Sequence, residues 1–235
     1  MDYLRLTHLS IQLIAGRRFY ITVLLPLLWP AFQVFLLLAG GRQSEIEAVD
    51  VQTLIGLPLV IYAISLGIRI IASEVDRRTL EVAYTVPGGS HRIWLAKMTA
   101  SFCLLLFSEV LLAIVTLILF TSFPFVSFYG ALQAAVFYMV VGMAFAAFFR
   151  SEISGAMATA LLLTINILYG FGSSVSSNVS LMRLSPFFNP LAIDSNMTDV
   201  SAYTIQNRIL FIIVISAITL LTFSRVERRE KMLGD

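Results

Sequence analysis

A cluster of charged side chains interrupts an otherwise apolar sequence between residues 73 and 90. It comprises Glu74, Asp76, Arg77, Arg78 and Glu81. Because 58% of the chain is hydrophobic and only 13% is charged, we expect these side chains to face water. Charges of both signs concentrated on one segment favour recognition of another protein surface over bond-breaking chemistry. The cluster therefore predicts a docking segment.

The charged cluster has the pattern of a short helix, and residues 72–85 can form one continuous helix. Glu74 and Arg78 are four residues apart, in the order that favours an ion pair on a helix. Pro87-Gly88-Gly89 then ends the helix and turns the chain. A solvated loop that only fixes the membrane topology explains the same charges, and at this point both interpretations stay open.

Two polar residues lie inside apolar runs, where their side chains are costly to bury. Glu109 lies between Leu104-Leu105-Leu106-Phe107-Ser108 and Val110-Leu111-Leu112. Because a carboxylate inside a membrane is costly, the first hypothesis is that Glu109 has a functional role or pairs with another group. The alternative is a protonated carboxyl group that forms a structural hydrogen bond. Asn166 is expected to form hydrogen bonds between helices.

The residues that could support catalysis or bind a metal do not form a constellation. His8 and His91 are far apart in the sequence, and Cys103 is the only cysteine. One cysteine excludes a disulfide within the chain and a cysteine-rich metal site. Serines and threonines in the apolar runs have no paired base. We therefore expect neither a metal site nor an enzyme.

The composition and the apolar runs predict an all-α, polytopic membrane protein. The mean hydropathy is +0.88, and the apolar residues fall into runs of about 20, the length of a helix that crosses the bilayer. Residues 1–235 are expected to form a single membrane domain. Six spans are predicted, at Phe19–Leu38, Leu54–Ala72, Ile93–Thr121, Phe125–Phe149, Ile153–Gly172 and Ile209–Phe223.

The distribution of arginine and lysine predicts the orientation of the chain. Thirteen of these residues lie near the termini and in alternate connections, whereas the opposite set holds three, Arg42, Arg183 and Arg208. Because positive charge accumulates on the cytoplasmic side, both termini are predicted to be cytoplasmic. The expected location is the cell membrane, inner or cytoplasmic.

Two flanking segments have patterns of their own. Residues 1–18 place Leu6, Leu9 and Leu13 at helical spacing, which predicts an interfacial helix that contacts membrane lipid. The alternative is a solvated extension of the first span. Residues 173–207 form the longest stretch between spans and include an apolar part, 184–191, that is broken by prolines. This external segment is expected to fold back toward the membrane, as a gate or as a cap. The gate residues are Pro186, Phe187, Phe188, Asn189 and Pro190.

The charged segment resembles a hallmark of ABC-2 type permeases. It carries the order Glu-x-x-x-x-Thr-Leu-Glu, then a proline, then a returning lysine. These positions are Glu74, Thr79, Leu80, Glu81, Pro87 and Lys97. The interfacial helix, the six spans and a re-entrant segment before the last span are also similar to that family. The sequence departs from the family pattern at Asp76-Arg77-Arg78, in place of an acidic lead-in.

The resemblance implies a function that needs partners. The chain would be the membrane-spanning permease subunit of an ATP-driven exporter, and residues 73–90 would be its coupling segment. The residues that contact the ATP-binding subunit would be Glu74, Arg77, Arg78, Thr79, Leu80, Glu81 and Pro87. No Gly-x-x-x-x-Gly-Lys-Ser/Thr loop occurs in the sequence, so ATP and Mg²⁺ are expected on the partner. A second copy, or a related permease, would complete the pathway as a dimer, and no nucleic acid is expected.

Two other classes of function have less support in the sequence. A secondary transporter or channel would show inverted repeats with interrupted helices at matching positions, but Pro26, Pro30 and Pro58 have no counterparts in the later spans. A scaffold or a membrane enzyme has no supporting feature. Phe145, Phe148 and Phe149, together with the apolar external segment, favour an amphiphile, a lipid-linked molecule or a peptide as the substrate.

Overall fold

The computed structural model describes residues 3–16, 19–40, 46–76, 90–173, 184–193 and 199–227. These residues form α-helices and two short 3-10 helices, and the described part of the chain has no strand, as the all-α prediction requires. The α-helices are α1 Tyr3–Ala15, α2 Phe19–Leu24, α3 Leu28–Leu38, α4 Val51–Asp76, α5 Ser90–Leu119, α6 Phe125–Phe149, α7 Glu152–Ser173 and α8 Val200–Val226. The 3-10 helices are Leu25–Leu27 and Pro190–Ala192.

Five helical stretches in the described residues are long and apolar enough to cross a membrane. They are Tyr20–Leu38, Val51–Glu74, His91–Leu119, Phe125–Phe149 and Val200–Val226. In α7 the apolar stretch Glu152–Leu168 is shorter than these. The described residues therefore contain several candidate membrane-spanning helices, and the count of six stays a prediction.

The first span is not one continuous helix, because α2 and α3 are separated by the 3-10 turn Leu25–Leu27. Pro26 has no N–H group and cannot bond to the carbonyl of residue 22, so the regular helix is interrupted there. Ser108 of α5 donates a hydrogen bond to Val23 O at 3.1 Å beside this break. The side chain thereby supplies a donor where the helix geometry changes.

The last span begins earlier than the sequence predicted. Helix α8 starts at Val200 rather than near Ile209, so residues 200–207 belong to the helix and not to the external segment. The sequence prediction was wrong because this first part of α8 is polar. Thr204 Oγ1 donates to Val200 O within the helix, whereas the buried Asn207 donates from Nδ2 to Ser185 O outside it.

Helices α4 and α6 form the centre of the bundle and its most extensive pair. They run in the same direction, since Gly56 contacts Ala131 and Gly67 contacts Met139. Helix α5 runs against α4, and α7 and α8 pack on α6. The end of the bundle where α4 ends and α5 begins is called the coupling end here. Residues 184–193 lie at the other end.

The turn between α6 and α7 is short because Arg150 adopts a left-handed conformation, with φ of 56°. Arg150 is the residue that follows the last turn of α6. Ser151 N donates a hydrogen bond to Ala146 O at 3.3 Å. Gly155 then lies against Ala146, so close that a Cβ at position 155 would be 2.6 Å from the Ala146 Cα. Small residues at this contact allow α6 and α7 to pack closely.

The N-terminal helix α1 ends at Ala15, where Gly16 has a positive φ of 78°. Its Ser10 and Ile14 are buried, whereas Leu9 and Leu13 are exposed. Arg69 of α4 donates a hydrogen bond to Ile14 O at 3.1 Å, at the end of the helix. Leu9 and Leu13 are therefore free to contact lipid, while Ser10 and Ile14 lie on the side that faces the bundle.

Candidate functional site

Most of the predicted coupling residues fall outside the described part of the chain. Arg77, Arg78, Thr79, Leu80, Glu81 and Pro87 all lie within 77–89, and their role stays a prediction. Glu74 is the one predicted coupling residue within the described ranges, near the end of α4. The segment 77–89 leaves from α4 and returns to α5, so these two helices determine where it begins and ends.

Glu74 turns toward α5 rather than toward water. Its Oε1 accepts a hydrogen bond from Lys97 Nζ at 2.7 Å, and its Oε2 accepts one from Trp94 Nε1 at 2.9 Å. The side chains of Lys97 and Glu74 are 5% and 12% exposed. The expectation that Glu74 faces water was therefore wrong. Lys97 is buried on α5, and a buried ammonium group needs a carboxylate partner.

Lys97 also contacts the backbone of α4. Its Nζ donates to Ile70 O at 3.3 Å, one turn before Glu74. The last turns of a helix carry a partial negative charge, which favours a cation at this position. Trp94 is fully buried. At the coupling end, Glu74 of α4 is thus bonded to both Trp94 and Lys97 of α5.

At the opposite end, one amide holds the backbone of the external segment. Gln52, in the first turn of α4, donates from Nε2 to Phe187 O at 3.3 Å and to Phe188 O at 3.1 Å. Asn189 Nδ2 donates to Val49 O at 2.8 Å, and Asn189 Oδ1 accepts from Leu191 N at 3.1 Å. Irregular backbone near lipid needs such partners, because Pro186 and Pro190 prevent a regular helix.

The segment is held on its other side by α6, α7 and α8. Asn207 Nδ2 donates to Ser185 O at 3.1 Å, and Gln133 Nε2 donates to Asn207 Oδ1 at 2.9 Å. Ser185 Oγ lies 3.3 Å from Asn166 Oδ1 and donates to it. Asn166 was expected to connect two helices; this contact connects α7 to the external segment.

The aromatic residues of the segment extend these contacts into the bundle. Phe188 is buried at 1% exposure, and Phe187 lies with its ring centroid 5.9 Å from that of Tyr138. The chain of rings continues from Tyr138 to Phe137 and from Phe137 to Phe211, each at 5.2 Å. Helical side chains point back toward the N-terminus of their helix, so Tyr138 of α6 extends toward the segment.

Glu109 is fully buried near the middle of α5. It follows Ser108, which bonds to the break in the first span. Among the residues that the structure describes, Glu109 forms no salt bridge. Its environment therefore differs from that of Glu74, whose charge is compensated, and a functional role for Glu109 stays a prediction.

The three phenylalanines considered for substrate contact are close to one another at the coupling end of α6. Phe148 and Phe149 lie edge to face at 5.2 Å, and Phe145 is 6.3 Å from Phe149. The guanidinium of Arg225 lies 4.5 Å from the centroid of the Phe148 ring. This cation–π contact connects α8 to α6, which gives Phe148 a packing role.

Sequence reasoning missed the amides that hold the external segment, namely Gln52, Gln133 and Asn207. A signal was available, because each is a polar side chain within or beside an apolar run, and such residues commonly form hydrogen bonds between membrane helices. Their partners are far away in the sequence, however. The contact from Gln52 to Phe188 spans 136 residues, which no local pattern encodes.

The comparisons with known proteins identify the fold family. The family model described as ABC-2 family transporter protein matches residues 12–231. The chain matches no curated protein and no solved structure. The match extends from α1 through α8 and so includes both the coupling end and the external segment. This chain belongs to the ABC-2 family of transporter proteins, whose members are membrane transport subunits.

Proposed function

We propose that this chain is the permease subunit of an ATP-driven exporter. Two copies, or one copy and a related permease, form the pathway, and a separate ATP-binding subunit docks at residues 73–90. The observation that carries the proposal is the family match over residues 12–231, in a chain whose sequence has no phosphate-binding loop. ATP and Mg²⁺ belong to the partner subunit in this proposal.

The arrangement at the coupling end supports the proposed docking site. Residues 77–89 connect two long helices, α4 of 26 residues and α5 of 30 residues. At 1.5 Å per residue α5 is about 45 Å long, which exceeds the roughly 30 Å of a hydrocarbon core. Rigid helices of this length can carry a displacement from one membrane surface to the other. Docking on the connection would therefore act on the whole bundle.

We propose further that the external segment acts as the outer gate. Phe187 lies over Tyr138, and the Gln52 amide holds the carbonyls of Phe187 and Phe188. The helices that flank the coupling segment include α4, which also carries Gln52 in its first turn. A displacement of α4 at the coupling end would thus reach the backbone of the gate through one helix.

The test is purification of the tagged full chain from its native membranes in a mild detergent. We expect an ATP-binding polypeptide to co-purify and the sample to hydrolyse ATP. Two differently tagged copies test the dimer in the same preparation. Absence of any ATP-binding polypeptide from a folded wild-type sample would contradict the proposal.

A charge reversal locates the contact. Glu81→Lys should lower the co-purified subunit by roughly tenfold, because a like-charge contact opposes association at a docked surface. The matched control is Glu47→Lys, an exposed acid at the opposite end of the bundle, which should leave co-purification unchanged. Equal recovery from both variants would place the contact elsewhere.

A further inference from the structure

We propose that Glu74, Trp94 and Lys97 form a clasp that makes α4 and α5 move as one unit. In this role Glu74 is a positioning residue and does not contact the ATP-binding subunit. The inference rests on the proposed function, and it changes the role of a residue that the sequence pattern groups with the docking charges.

The first argument concerns the availability of the carboxylate. Both oxygens of Glu74 already accept hydrogen bonds, Oε1 from Lys97 at 2.7 Å and Oε2 from Trp94 at 2.9 Å. Trp94 is fully buried and Lys97 is 5% exposed at its side chain. A docking protein would have to break a buried, charge-assisted pair to reach Glu74.

The second argument concerns the position of the clasp in the chain. Glu74 lies two residues before the end of α4 at Asp76, and Trp94 and Lys97 lie in the first turns of α5, which starts at Ser90. The clasp therefore joins the two helices that lie directly before and after residues 77–89 in the chain. Lys97 Nζ also donates to Ile70 O at 3.3 Å, so it contacts both the side chain and the backbone of α4.

The consequence concerns how motion passes from the docking segment to the membrane. If the two helices were not joined, a displacement of the docking segment would push α4 and α5 apart and would not move them together. Separation of α4 from α5 would leave Glu74 and Lys97 without their opposite charges. Because an uncompensated buried charge is costly, the ion pair opposes that separation. The clasp thus transmits a displacement to both helices together.

The experiment compares association with transmission in the full chain bound to its co-purified ATP-binding subunit. All variants carry Cys103→Ser and Ile193→Cys, which places one thiol on the half-buried end of the external segment. Labelling by an impermeant maleimide is measured with and without ATP. The clasp variants are Glu74→Gln and the double variant Glu74→Met with Lys97→Met. Glu152→Gln, an acid at the coupling end but outside the clasp, is the control.

We expect both clasp variants to retain the ATP-binding subunit at the level of the control. The ATP-dependent change in labelling should fall at least about fivefold, as expected when the coupling between two sites is lost. The double variant leaves no unpaired buried charge, so it carries the test if Glu74→Gln fails to fold. Mere destabilisation would lower recovery of the complex without this selective loss of the ATP response.

Two outcomes would overturn the inference. One is loss of the ATP-binding subunit from Glu74→Gln to the same extent as from Glu81→Lys, since that would make Glu74 a docking residue. The other is a full ATP response in the double variant. Failure of the proposed function is distinguishable, because a wild-type chain would then bind no ATP-binding subunit at all.

Discussion

Gly67 of α4 lies directly against the backbone carbonyl of Met139 in α6. A Cβ atom at position 67 would overlap with the carbonyl oxygen and lie 2.9 Å from the carbonyl carbon. The contact is between two backbones, which cannot move aside as a flexible side chain can. It therefore fixes the spacing of the two central helices, near the middle of the bundle.

The first prediction follows from this contact. Gly67→Ala should lower the free energy of unfolding by roughly 1–3 kcal/mol, the usual result of forcing extra atoms into a packed interior. The measurement is thermal unfolding of the purified chain in detergent. Gly56→Ala is the matched control on the same helix, because its added Cβ would meet Ala131 at 3.6 Å, an ordinary contact. Equal stability of the two variants would refute this account of the α4–α6 contact.

A second prediction concerns the amide that holds the external segment. Gln52→Leu removes the donor for the carbonyls of Phe187 and Phe188, and an unsatisfied buried group costs about 1–3 kcal/mol. A cysteine at Leu191 should then react faster with an impermeant thiol reagent, in a Cys103→Ser background. Gln206→Leu, at an exposed position of α8, is the control. An unchanged rate in Gln52→Leu would show that the amide does not hold the segment.

The two phenylalanines of the segment should behave differently from each other. Phe188→Ala should destabilise the chain by about 3–5 kcal/mol, because it empties a fully buried site. Phe187→Ala should have the smaller effect on stability, since its side chain is only half-buried. If the segment is a gate, Phe187→Ala should change the rate or the substrate range of export in inverted vesicles. Normal export with lowered stability would leave a structural cap.

The sequence predicted the helices well where their ends are set by local chemistry. Helix α6 runs from Phe125 to Phe149 as predicted, because Pro124 precedes it and Arg150 ends it in a left-handed conformation. The start of α8 was missed because its first turns carry polar residues such as Asn207, which bonds to Gln133 and to Ser185 rather than to water.

The candidate sites were harder to predict than the helices, for a related reason. Glu74 looked like a solvent-facing charge because Lys97, its partner, lies 23 residues away on another helix. The helical spacing of charges within residues 72–85 gives no information on that pairing. The same holds for Gln52 and the external segment. Contacts between elements decide these roles, and a sequence pattern describes only single elements.

The orientation predicted from the arginines and lysines has its own test. Single cysteines at Glu47 and at Ser151, each in a Cys103→Ser background, lie at opposite ends of the bundle. In intact cells an impermeant maleimide should label the cysteine at position 47 and not the one at position 151, because both termini are predicted to be cytoplasmic. Permeabilised cells, in which both should react, are the control. The reverse pattern in intact cells would invert the topology.

The central claim is that a separate ATP-binding subunit docks on the segment after the second span. A photo-crosslinking amino acid placed at Leu80 tests it most directly, with Val126, an exposed position at the opposite end of the bundle, as the control. Illumination of native membranes should join the Leu80 variant to a polypeptide that binds ATP, and Glu81→Lys should reduce that product. The Val126 variant should give no such product. If the chain is inserted and folded but neither variant is crosslinked to an ATP-binding polypeptide, the claim is contradicted.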